Sequence, residues 1–389
     1  MPIAANQKRT FLRLVAQLRP HWRRDPALPA RIQALFSAHR EFGSRDRRLY
    51  RELLYTTLRH LPWIEPLLEV DADEAVRRVA WLAHESPATA PFRAAFATGD
   101  APAGDKTELL PAWFRAHCPE VFSGAELDAQ LRRASLWLRL QTDATGRARV
   151  LAEFAARQWP VQPSTLLPDA LELCTEPDVT STDAWKAGAF EVQDLGSQLI
   201  LASVGVEPGG HWLDACAGAG GKTLQLARLL GPSGRVDAYD IRPAALAELK
   251  LRAERARQRV TVLTAPPTDA YDGVLVDAPC SGSGTWRRAP HLKWITTEEQ
   301  IARSAAIQRA LLDQFSARVR PGGRLVYATC SLSSWENEAV ANAFLAAHPE
   351  FRAESSAPTF DLTPRPPGRL ILPSVHNTDG FFVASFRRQ

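Results

Sequence analysis

The fold is decided by a stretch in the second half of the chain, Val274-Leu275-Val276-Asp277-Ala278-Pro279-Cys280-Ser281-Gly282-Ser283-Gly284. Its first three residues are apolar and mostly β-branched, and Asp272-Gly273 and Pro279 bound them, which predicts a buried strand of a parallel sheet. The carboxylate of Asp277 and the thiol of Cys280 follow at the carboxyl end of that strand. Because glycines in the loop let a ligand approach the backbone closely, we expect function at this strand end.

A second thiol ends a similar pattern, Gly323-Arg324-Leu325-Val326-Tyr327-Ala328-Thr329-Cys330-Ser331. The carboxyl ends of parallel strands lie on one edge of a sheet, so Cys280 and Cys330 are expected to face one pocket despite their separation in sequence. Two thiols and one carboxylate in one place suggest covalent chemistry.

Strands and helices alternate around these two segments. Strands are predicted at 211–214, 235–239, 260–263, 274–277, 323–329 and 380–386, and helices at 222–230, 243–256, 298–318 and 335–347. Alternation at this spacing predicts an α/β fold with a Rossmann-like, doubly wound and mostly parallel sheet.

The composition of the 389 residues, 45% hydrophobic and 23% charged, is that of a globular protein with room for two or three domains. No apolar run approaches the roughly 20 residues of a membrane helix, and no signal peptide opens the chain, so we expect a cytoplasmic protein. The five cysteines form no C-x-x-C, which indicates neither a disulfide framework nor a zinc site, and no metal is expected.

The charge is unevenly distributed along the chain. Residues 1–60 hold 13 Lys and Arg against 4 Asp and Glu, although the net charge of the whole chain is only +4. Such a block is typical of a domain that docks on a polyanion, and equally of a solvated arginine face without a partner.

A glycine-rich loop, Asp214-Ala215-Cys216-Ala217-Gly218-Ala219-Gly220-Gly221-Lys222-Thr223, joins the first strand of the alternating region to its first helix. A Walker A loop needs glycine where Cys216 stands, and a dinucleotide loop needs glycine where Thr223 stands, so neither phosphate-binding motif is complete. S-adenosylmethionine carries no phosphate, and its loop needs glycines for close backbone approach together with an acid that holds its amino acid part or its sugar. Asp240, about 20 residues beyond the loop, has the spacing of such an acid. The alternative is a loop that merely turns the strand into the helix.

Three motifs, D-A-C-A-G-A-G-G-K-T, D-A-P-C-S-G-S-G-T and Y-A-T-C-S-L-S-S-W-E-N-E, resemble in type and order the signatures of RNA cytosine-C5 methyltransferases, and the similarity is greatest to the RsmB-like 16S rRNA enzymes. The resemblance implies transfer of a methyl group from S-adenosylmethionine to C5 of a cytosine in RNA. C5 is a poor nucleophile, so a thiolate must first add at C6. The resemblance assigns this step to Cys330, product release to Cys280 and the N3 edge of the base to Asp277, with Lys222 lining the same pocket.

The resemblance also implies two sets of ligand-binding residues. The cofactor set consists of Asp214, Cys216, Ala217, Gly218, Ala219, Gly220, Gly221, Lys222, Asp240, Arg242 and Asp277. The RNA set consists of Arg139, Arg287, Arg288 and Lys293. The last three lie between Trp286 and Trp294, where cations interleave with aromatics as in sites for phosphates and unstacked bases. The alternative for this segment is a surface loop with a buried Trp294.

Three domains are expected. Residues 1–110 are predicted to be helical. The run from Ser44 to Arg59 is similar to the NusB-like RNA-binding domain that precedes some rRNA methyltransferases. A linker is predicted near 98–106. Residues 111–190 are expected to form a helical linker and a small α+β module that resembles the RRM-like segment of these enzymes, with Arg139 on its first strand. Residues 191–389 would form the catalytic domain.

One departure from the family pattern bears on function. The third strand is followed by Thr264-Ala265-Pro266-Pro267-Thr268, without the acid that usually holds adenine, and Asp269 is the candidate substitute. This departure favours a catalytically silent RNA-binding or ribosome assembly factor, whereas both cysteines and Asp277 favour an enzyme that acts on rRNA. A methyltransferase that acts on tRNA or on protein is the third alternative. We expect a monomer that binds RNA and no membrane.

Overall fold

The structure is a computed structural model that describes residues 2–175, 177–354 and 360–389. Its helices are α1 (Pro2–Leu18), α2 (Leu28–Ala38), α3 (Ser44–Arg59), α4 (Leu61–Ile64), α5 (Leu67–Val70), α6 (Ala72–Leu82), α7 (Ala90–Phe96), α8 (Gly124–Leu131), α9 (Ala144–Ala156), α10 (Asp183–Lys186), α11 (Leu195–Val204), α12 (Gly221–Leu230), α13 (Pro243–Arg255), α14 (Leu292–Ile295), α15 (Glu298–Ser316), α16 (Glu338–Ala347) and α17 (Pro373–His376). Its strands are β1 (Leu136–Leu140), β2 (Val161–Pro163), β3 (Ala170–Leu173), β4 (Phe190–Val192), β5 (His211–Asp214), β6 (Arg235–Ala238), β7 (Thr261–Val262), β8 (Tyr271–Asp277), β9 (Val319–Thr329), β10 (Phe351–Ala353), β11 (Thr363–Arg365), β12 (Gly368–Ile371) and β13 (Phe381–Arg388). Across these described ranges, none of the helices is both long enough and apolar enough to cross a membrane.

The chain forms two compact units. The helical unit runs to Arg133 and also takes up Thr285–Thr297, and the sheet unit consists of Ala134–Gly284 and Glu298–Gln389. The first boundary between the two units therefore lies after Arg133 and not at the predicted residue 110. Leu109 is 1% exposed and belongs to the core of the helical unit, so the Gly- and Pro-rich stretch at 98–106 is a loop within that unit.

The core of the helical unit is built from amphipathic helices. Helix α3 begins after Gly43, whose N–H donates to the Asp46 carboxylate at 3.3 Å, and it buries Leu49 and Leu53 on one face. Leu14 of α1 and Val79 of α6 belong to the same cluster and are fully buried. Burial of this continuous apolar stripe, rather than helix propensity, is what stabilises such short helices.

The segment 285–297 is an integral part of the helical unit. The Trp286 ring is 1% exposed and packs on Phe114 with ring centroids 4.7 Å apart. Lys293 Nζ donates to the carbonyl oxygens of Arg59 and Leu109 at 2.9 Å each. Because an unpaired buried carbonyl is costly, the lysine serves as an internal donor to both of these groups.

The large sheet of the sheet unit has the order β11-β12-β13-β9-β8-β5-β6-β7, and β10 pairs with β13. The pairings among β5, β6, β7, β8 and β9 are parallel, as expected, and β8 lies between β5 and β9. Pairings that involve β10 to β13 are antiparallel, so the sheet is mixed rather than mostly parallel. The prediction missed β10, β11 and β12 because they are short strands of three or four residues.

A smaller antiparallel sheet precedes the large one in the sheet unit. Its order is β2-β3-β1-β4, and α9 and α10 connect the strands in the sequence β1-α9-β2-β3-α10-β4, a split β-α-β arrangement. One face packs on α9 through Val150 and Phe154, both fully buried. On the other face, Trp137 and Ala170 are buried in a cluster with Leu195 of α11, and Trp137 Nε1 donates to the carbonyl oxygen of Asn377 at 2.9 Å, so this face is also covered.

We expect the variant Trp286→Ala to lower the free energy of unfolding of the helical unit by about 3–5 kcal/mol, the usual cost of removing a fully buried large aromatic side chain. Urea unfolding followed by far-UV circular dichroism measures this loss. The matched control is Ile3→Ala in α1, whose side chain is 74% exposed and should change stability by less than about 0.5 kcal/mol. Equal stability of the two variants would contradict the assignment of this segment to the helical core.

Candidate active site

Two neighbouring strands bring the chemistry-bearing side chains together. Strands β8 and β9 pair in parallel with Asp277 opposite Ala328, so both strands end at the same edge of the sheet. Cys280 and Cys330 follow these two strand ends, and their Sγ atoms lie 3.2 Å apart. The structure therefore places the two thiols in one site.

The two thiols share a hydrogen bond, and this affects the protonation of Cys280. The hydrogen bond to Cys330, together with burial, raises the pKa of the Cys280 thiol well above its ordinary value. The rise favours the neutral thiol form of Cys280.

Lys222 and Asp277 form the charged part of the site. Lys222 Nζ lies 2.8 Å from Asp277 Oδ2, and the lysine side chain is 9% exposed. Burial disfavours the charged form of Lys222, but the charge and hydrogen bond of Asp277 outweigh it, so the pKa of Lys222 lies above its ordinary value. Cys330 also contributes to this rise, which places its sulfur within the electrostatic reach of the ammonium group. The ring of Phe381 lies 5.5 Å from Lys222 Nζ.

Close backbone packing fixes the loop that carries Cys280. The N–H of Gly284 donates to the carbonyl oxygen of Cys330 at 3.0 Å, and its own carbonyl accepts from the N–H of Gly380 at 2.8 Å. A Cβ atom at Gly284 would lie 2.0 Å from the carbonyl oxygen of Gly380, so glycine is required at this position.

The glycine-rich loop joins β5 to α12 as predicted. Gly220 has φ +88°, and a Cβ there would lie 2.8 Å from Leu249 Cγ, which explains the glycine. Asp214 is buried and accepts a hydrogen bond from Thr223 Oγ1 at 2.7 Å. Burial raises the pKa of Asp214 to about 7, and the carboxylate of Asp277 adds to the rise. Burial and nearby carboxylates likewise raise the pKa of the Cys216 thiol, which indicates a packing role rather than a reactive one.

Asp240 follows β6 and has all its acceptor positions filled. Oδ1 accepts from the N–H and Nε of Arg242, and Oδ2 accepts from the N–H of Gly218 and from Nη2 of Arg242, each at 2.9 Å. A carboxylate offers about four such positions. A further donor would therefore have to replace the two bonds from the Arg242 side chain, which is 67% exposed.

A buried network of ion pairs holds the glycine-rich loop. Arg252 of α13 donates to the carbonyl oxygen of Ala219 at 2.7 Å and to the carboxylate of Glu191, which is fully buried on β4. Arg255 binds the other oxygen of Glu191 at 2.5 Å. The loop position thus depends on the small sheet, a connection that no local sequence pattern indicates.

The predicted RNA-binding residues are mostly interior. Arg139 is 3% exposed and donates to Gln193 Oε1 at 2.6 Å, while Arg287 and Lys293 are each 1% exposed. Contact of these three side chains with phosphate does not fit their burial. Arg288 is exposed, and its predicted contact stays a prediction. The interleaved cations and aromatics of 286–294 are explained instead by the core of the helical unit.

The acid expected after the third strand is not replaced by Asp269. Asp269 acts electrostatically on Tyr271, the first residue of β8, and so lies at the opposite end of that strand from Asp277. Seven residues of strand separate the two ends by about 20 Å. Ile241, directly after Asp240, is 82% exposed and offers an apolar surface that the sequence analysis missed. Among the described residues, no cluster of three or more His, Cys, Asp and Glu side chains is arranged to hold a metal ion.

Comparison with known proteins agrees with this geometry. Residues 201–387 match the family described as 16S rRNA methyltransferase RsmB/F. The ribosomal RNA small subunit methyltransferase B of Salmonella arizonae is 33% identical over 300 residues, which cover 74% of this chain and 67% of that protein. The chain belongs to the RsmB/F family. The probable methyltransferase B of Bacillus subtilis is 33% identical over 65% of this chain, which spans 59% of the length of that relative.

Solved structures share the fold of this RsmB/F chain. The crystal structure of PH0851 has a TM-score of 0.75 at 24% identity, and the match covers 94% of this chain and 95% of that one. A methyltransferase homologue from Pyrococcus horikoshii has a TM-score of 0.59 at 26% identity, covering 68% and 90%. NSun6 from the same organism, solved with SFG, has a TM-score of 0.63 at 19% identity, covering 74% and 98%. The Rossmann-like α/β methyltransferase fold predicted from the sequence is confirmed.

Proposed function

We propose that this RsmB/F chain transfers a methyl group from S-adenosylmethionine to C5 of a cytosine in RNA, with 16S rRNA as the substrate. The observation that carries the proposal is the placement of two thiols 3.2 Å apart beside the Lys222–Asp277 pair. A site of this composition suits nucleophilic addition to an electron-poor ring. The names of the relatives supply the substrate class.

Cys330 is the proposed nucleophile. Its thiolate would add to C6 of the cytosine and form a carbon–sulfur bond, which makes C5 nucleophilic. The Cys280 thiol, whose sulfur lies 3.2 Å from that of Cys330, and the ammonium group of Lys222 are the neighbours of this nucleophile. After C5 has taken the methyl group, an elimination would release the product: the C5 proton passes to water, the double bond between C5 and C6 re-forms, and the bond between Cys330 and C6 breaks to return the thiolate, with Cys280 assisting this release.

Asp277 is the proposed contact for the N3 edge of the base. Its side chain is 29% exposed, so one oxygen can face a ligand while Oδ2 is held by Lys222. The target base must be unstacked, because C6 cannot be reached inside a helix. This arrangement would orient the ring over Cys330 and stabilise the charge that develops on it.

The residues around the glycine-rich loop fit S-adenosylmethionine, which when bound supplies an electrophilic methyl group. A Cβ atom at Gly221 would meet no atom within 4 Å, so space is open at the start of α12. Asp240 would accept the ribose hydroxyls once the exposed side chain of Arg242 turns away. Ile241 would cover one face of the adenine. Asp214 would support the cofactor site indirectly, because its buried carboxylate accepts a hydrogen bond from Thr223 at the start of α12.

A catalytically silent RNA-binding factor is the second candidate. It is favoured by the stretch Thr264–Thr268, which offers no acid for adenine, and by the position of Asp269 at the far end of β8. The first candidate is preferred because a silent protein has no need of paired thiols at hydrogen-bond distance.

The helical unit is the proposed RNA-docking part, similar in its sequence pattern to NusB-like domains. Arg45, Arg48 and Arg51 are exposed along one side of α3 at intervals of three residues. Within the described residues, none of the three forms an ion pair with an acid; Arg45 donates to the carbonyl oxygen of Pro87, and Arg51 to Gln33. The small sheet resembles an RRM in the order of its strands and helices only. Bases stack on an open sheet face in an RRM, and here that face is covered.

The covalent step is tested with Cys280→Ala, which should accumulate RNA bound to Cys330 because product release is impaired. The protein is incubated with S-adenosylmethionine and undermodified 16S rRNA, and a denaturing gel shows the slower protein–RNA band. The control is the double variant Cys280→Ala/Cys330→Ala, which should show no such band. A band of equal strength in the double variant would overturn the role of Cys330. Absence of both the band and any methyl transfer by the wild type would favour the silent RNA-binding factor.

The RNA-docking role of α3 is tested with the triple variant Arg45→Gln/Arg48→Gln/Arg51→Gln. Loss of three phosphate contacts should weaken RNA binding and reduce the slope of log K against log salt by about 2. Filter binding of rRNA fragments at several salt concentrations measures both. The matched control is Arg31→Gln, because exposed Arg31 is already paired with Asp25 at 2.8 Å. An unchanged slope in the triple variant would refute the proposal.

A further inference from the structure

The two cysteine loops are joined by one buried side chain to which neither the sequence analysis nor the comparisons assign a role. Glu336 follows Cys330 by six residues, within the motif Y-A-T-C-S-L-S-S-W-E-N-E, and its side chain is fully buried. Its carboxylate accepts from Ser281, the residue after Cys280, and from Ser331, the residue after Cys330.

The hydrogen bonds of Glu336 fill its acceptor capacity. Oε1 accepts from the N–H of Ser281 at 2.7 Å and from Gln308 Nε2 at 3.1 Å. Oε2 accepts from the hydroxyls of Ser281 at 2.5 Å and Ser331 at 2.6 Å. Four donors on one buried carboxylate leave no unsatisfied oxygen, and each bond is of the strong, charge-assisted kind.

The surrounding groups restrict Glu336 in turn. Gln308 of α15 is fully buried and also donates to the carbonyl oxygen of Pro279 at 2.9 Å, on the loop that leads to Cys280. The hydroxyl of Tyr327 on β9 donates to the backbone carbonyl of Glu336 and to Gln308 Oε1. Both loops are therefore bonded to the same group, and that group is itself held by the strand and the helix next to them.

We infer that Glu336 is a positioning residue that sets the distance between Cys280 and Cys330, an inference that rests on the proposed function only for its catalytic consequence. The parallel register of β8 and β9 brings the two loops to one edge, but the loops extend beyond the last paired residues. Hydrogen bonds from Glu336 to the residue that follows each cysteine remove this freedom. The consequence is that both thiols can act on the same carbon atom of the base.

The geometry distinguishes the effect of the bonds from the effect of the charge. In Glu336→Gln, the amide oxygen can accept from Ser281 N–H and Gln308, and the amide nitrogen can donate to the two hydroxyls, which accept as well as donate. The glutamine would keep all four contacts without the charge. In Glu336→Ala, all four contacts are lost. A positioning role therefore predicts that glutamine rescues and alanine does not.

The first readout is independent of RNA and of the cofactor. Oxidised glutathione is added to the full chain, and the two thiols exchange with it to give a protein disulfide and two molecules of reduced glutathione. Peptide mass mapping of quenched samples then reports the rate at which the Cys280–Cys330 disulfide forms and separates it from glutathione adducts at other cysteines, such as the exposed Cys174. We expect a clearly slower rate in Glu336→Ala and a rate close to that of the wild type in Glu336→Gln. If Glu336→Ala does not fold, Ser331→Ala is the alternative. It removes the hydrogen bond between the Glu336 carboxylate and the Cys330 loop and should also slow disulfide formation.

The second readout is methyl transfer. A displacement of about 1 Å at reacting groups costs about 100-fold in rate, so Glu336→Ala should lower kcat by about that factor with an unchanged KM for S-adenosylmethionine. The matched control is Glu354→Ala, which removes a carboxylate bonded to Arg324, Arg387 and Ser385 at a site without the cysteine loops. It should lower thermal stability and leave kcat and the disulfide rate unchanged.

The outcomes separate this inference from the proposed function. Wild-type rates of both reactions in Glu336→Ala would overturn the positioning role, and equal damage in the glutamine and alanine variants would show that charge rather than geometry matters, which also overturns it. If the wild type methylates no RNA, the proposed function fails, but the disulfide rates still decide whether Glu336 positions the thiols.

Discussion

The parallel pairing of β8 with β9 is the constraint on which the site depends. With Asp277 opposite Ala328, the two strands end level, and the residues that follow them enter one space. A shift of one residue in this register would turn the side chains of β9 to the other face of the sheet. It would also carry Thr329 and Cys330 away from Cys280. The apolar run Val274–Val276 is fully buried, which keeps β8 inside the core of the sheet.

Polar groups in the site are held by neighbours rather than by solvent. Lys222 reaches Asp277 from the start of α12, and Glu336 reaches both cysteine loops from the far side of the third motif. Each of the three motifs thus supplies a bond to another one. A buried charge is costly unless it is paired, so these contacts preorganise the site and keep its side chains in a single arrangement.

The sequence predicted the parts of the structure that depend on local patterns. The alternation of strands and helices, the strand-end position of both cysteines and the loop between β5 and α12 follow from periodicity and from glycine placement. It did not predict the small antiparallel strands β10 to β12, which are too short for a period to be visible. The network of Glu191, Arg252 and Ala219 was missed as well, because its members are distant in the chain.

The cations were the least predictable residues. Arg139, Arg287 and Lys293 carry the charges expected of RNA ligands, but all three are buried and bond to groups inside the protein. A lysine that donates to two backbone carbonyls has the same sequence signature as one that binds phosphate. Tertiary packing alone distinguishes them. The acceptor positions of Asp240, which Arg242 and Gly218 fill, were not predicted either.

The measurement that tests the account most directly is nucleoside mass spectrometry of undermodified 16S rRNA after incubation with S-adenosylmethionine and either the wild type or Cys330→Ser. The account predicts 5-methylcytidine with the wild type and none with the variant, because the sulfur that must add to C6 is missing. Formation of 5-methylcytidine at the wild-type rate by Cys330→Ser would contradict the assignment of this strand-end thiol as the nucleophile.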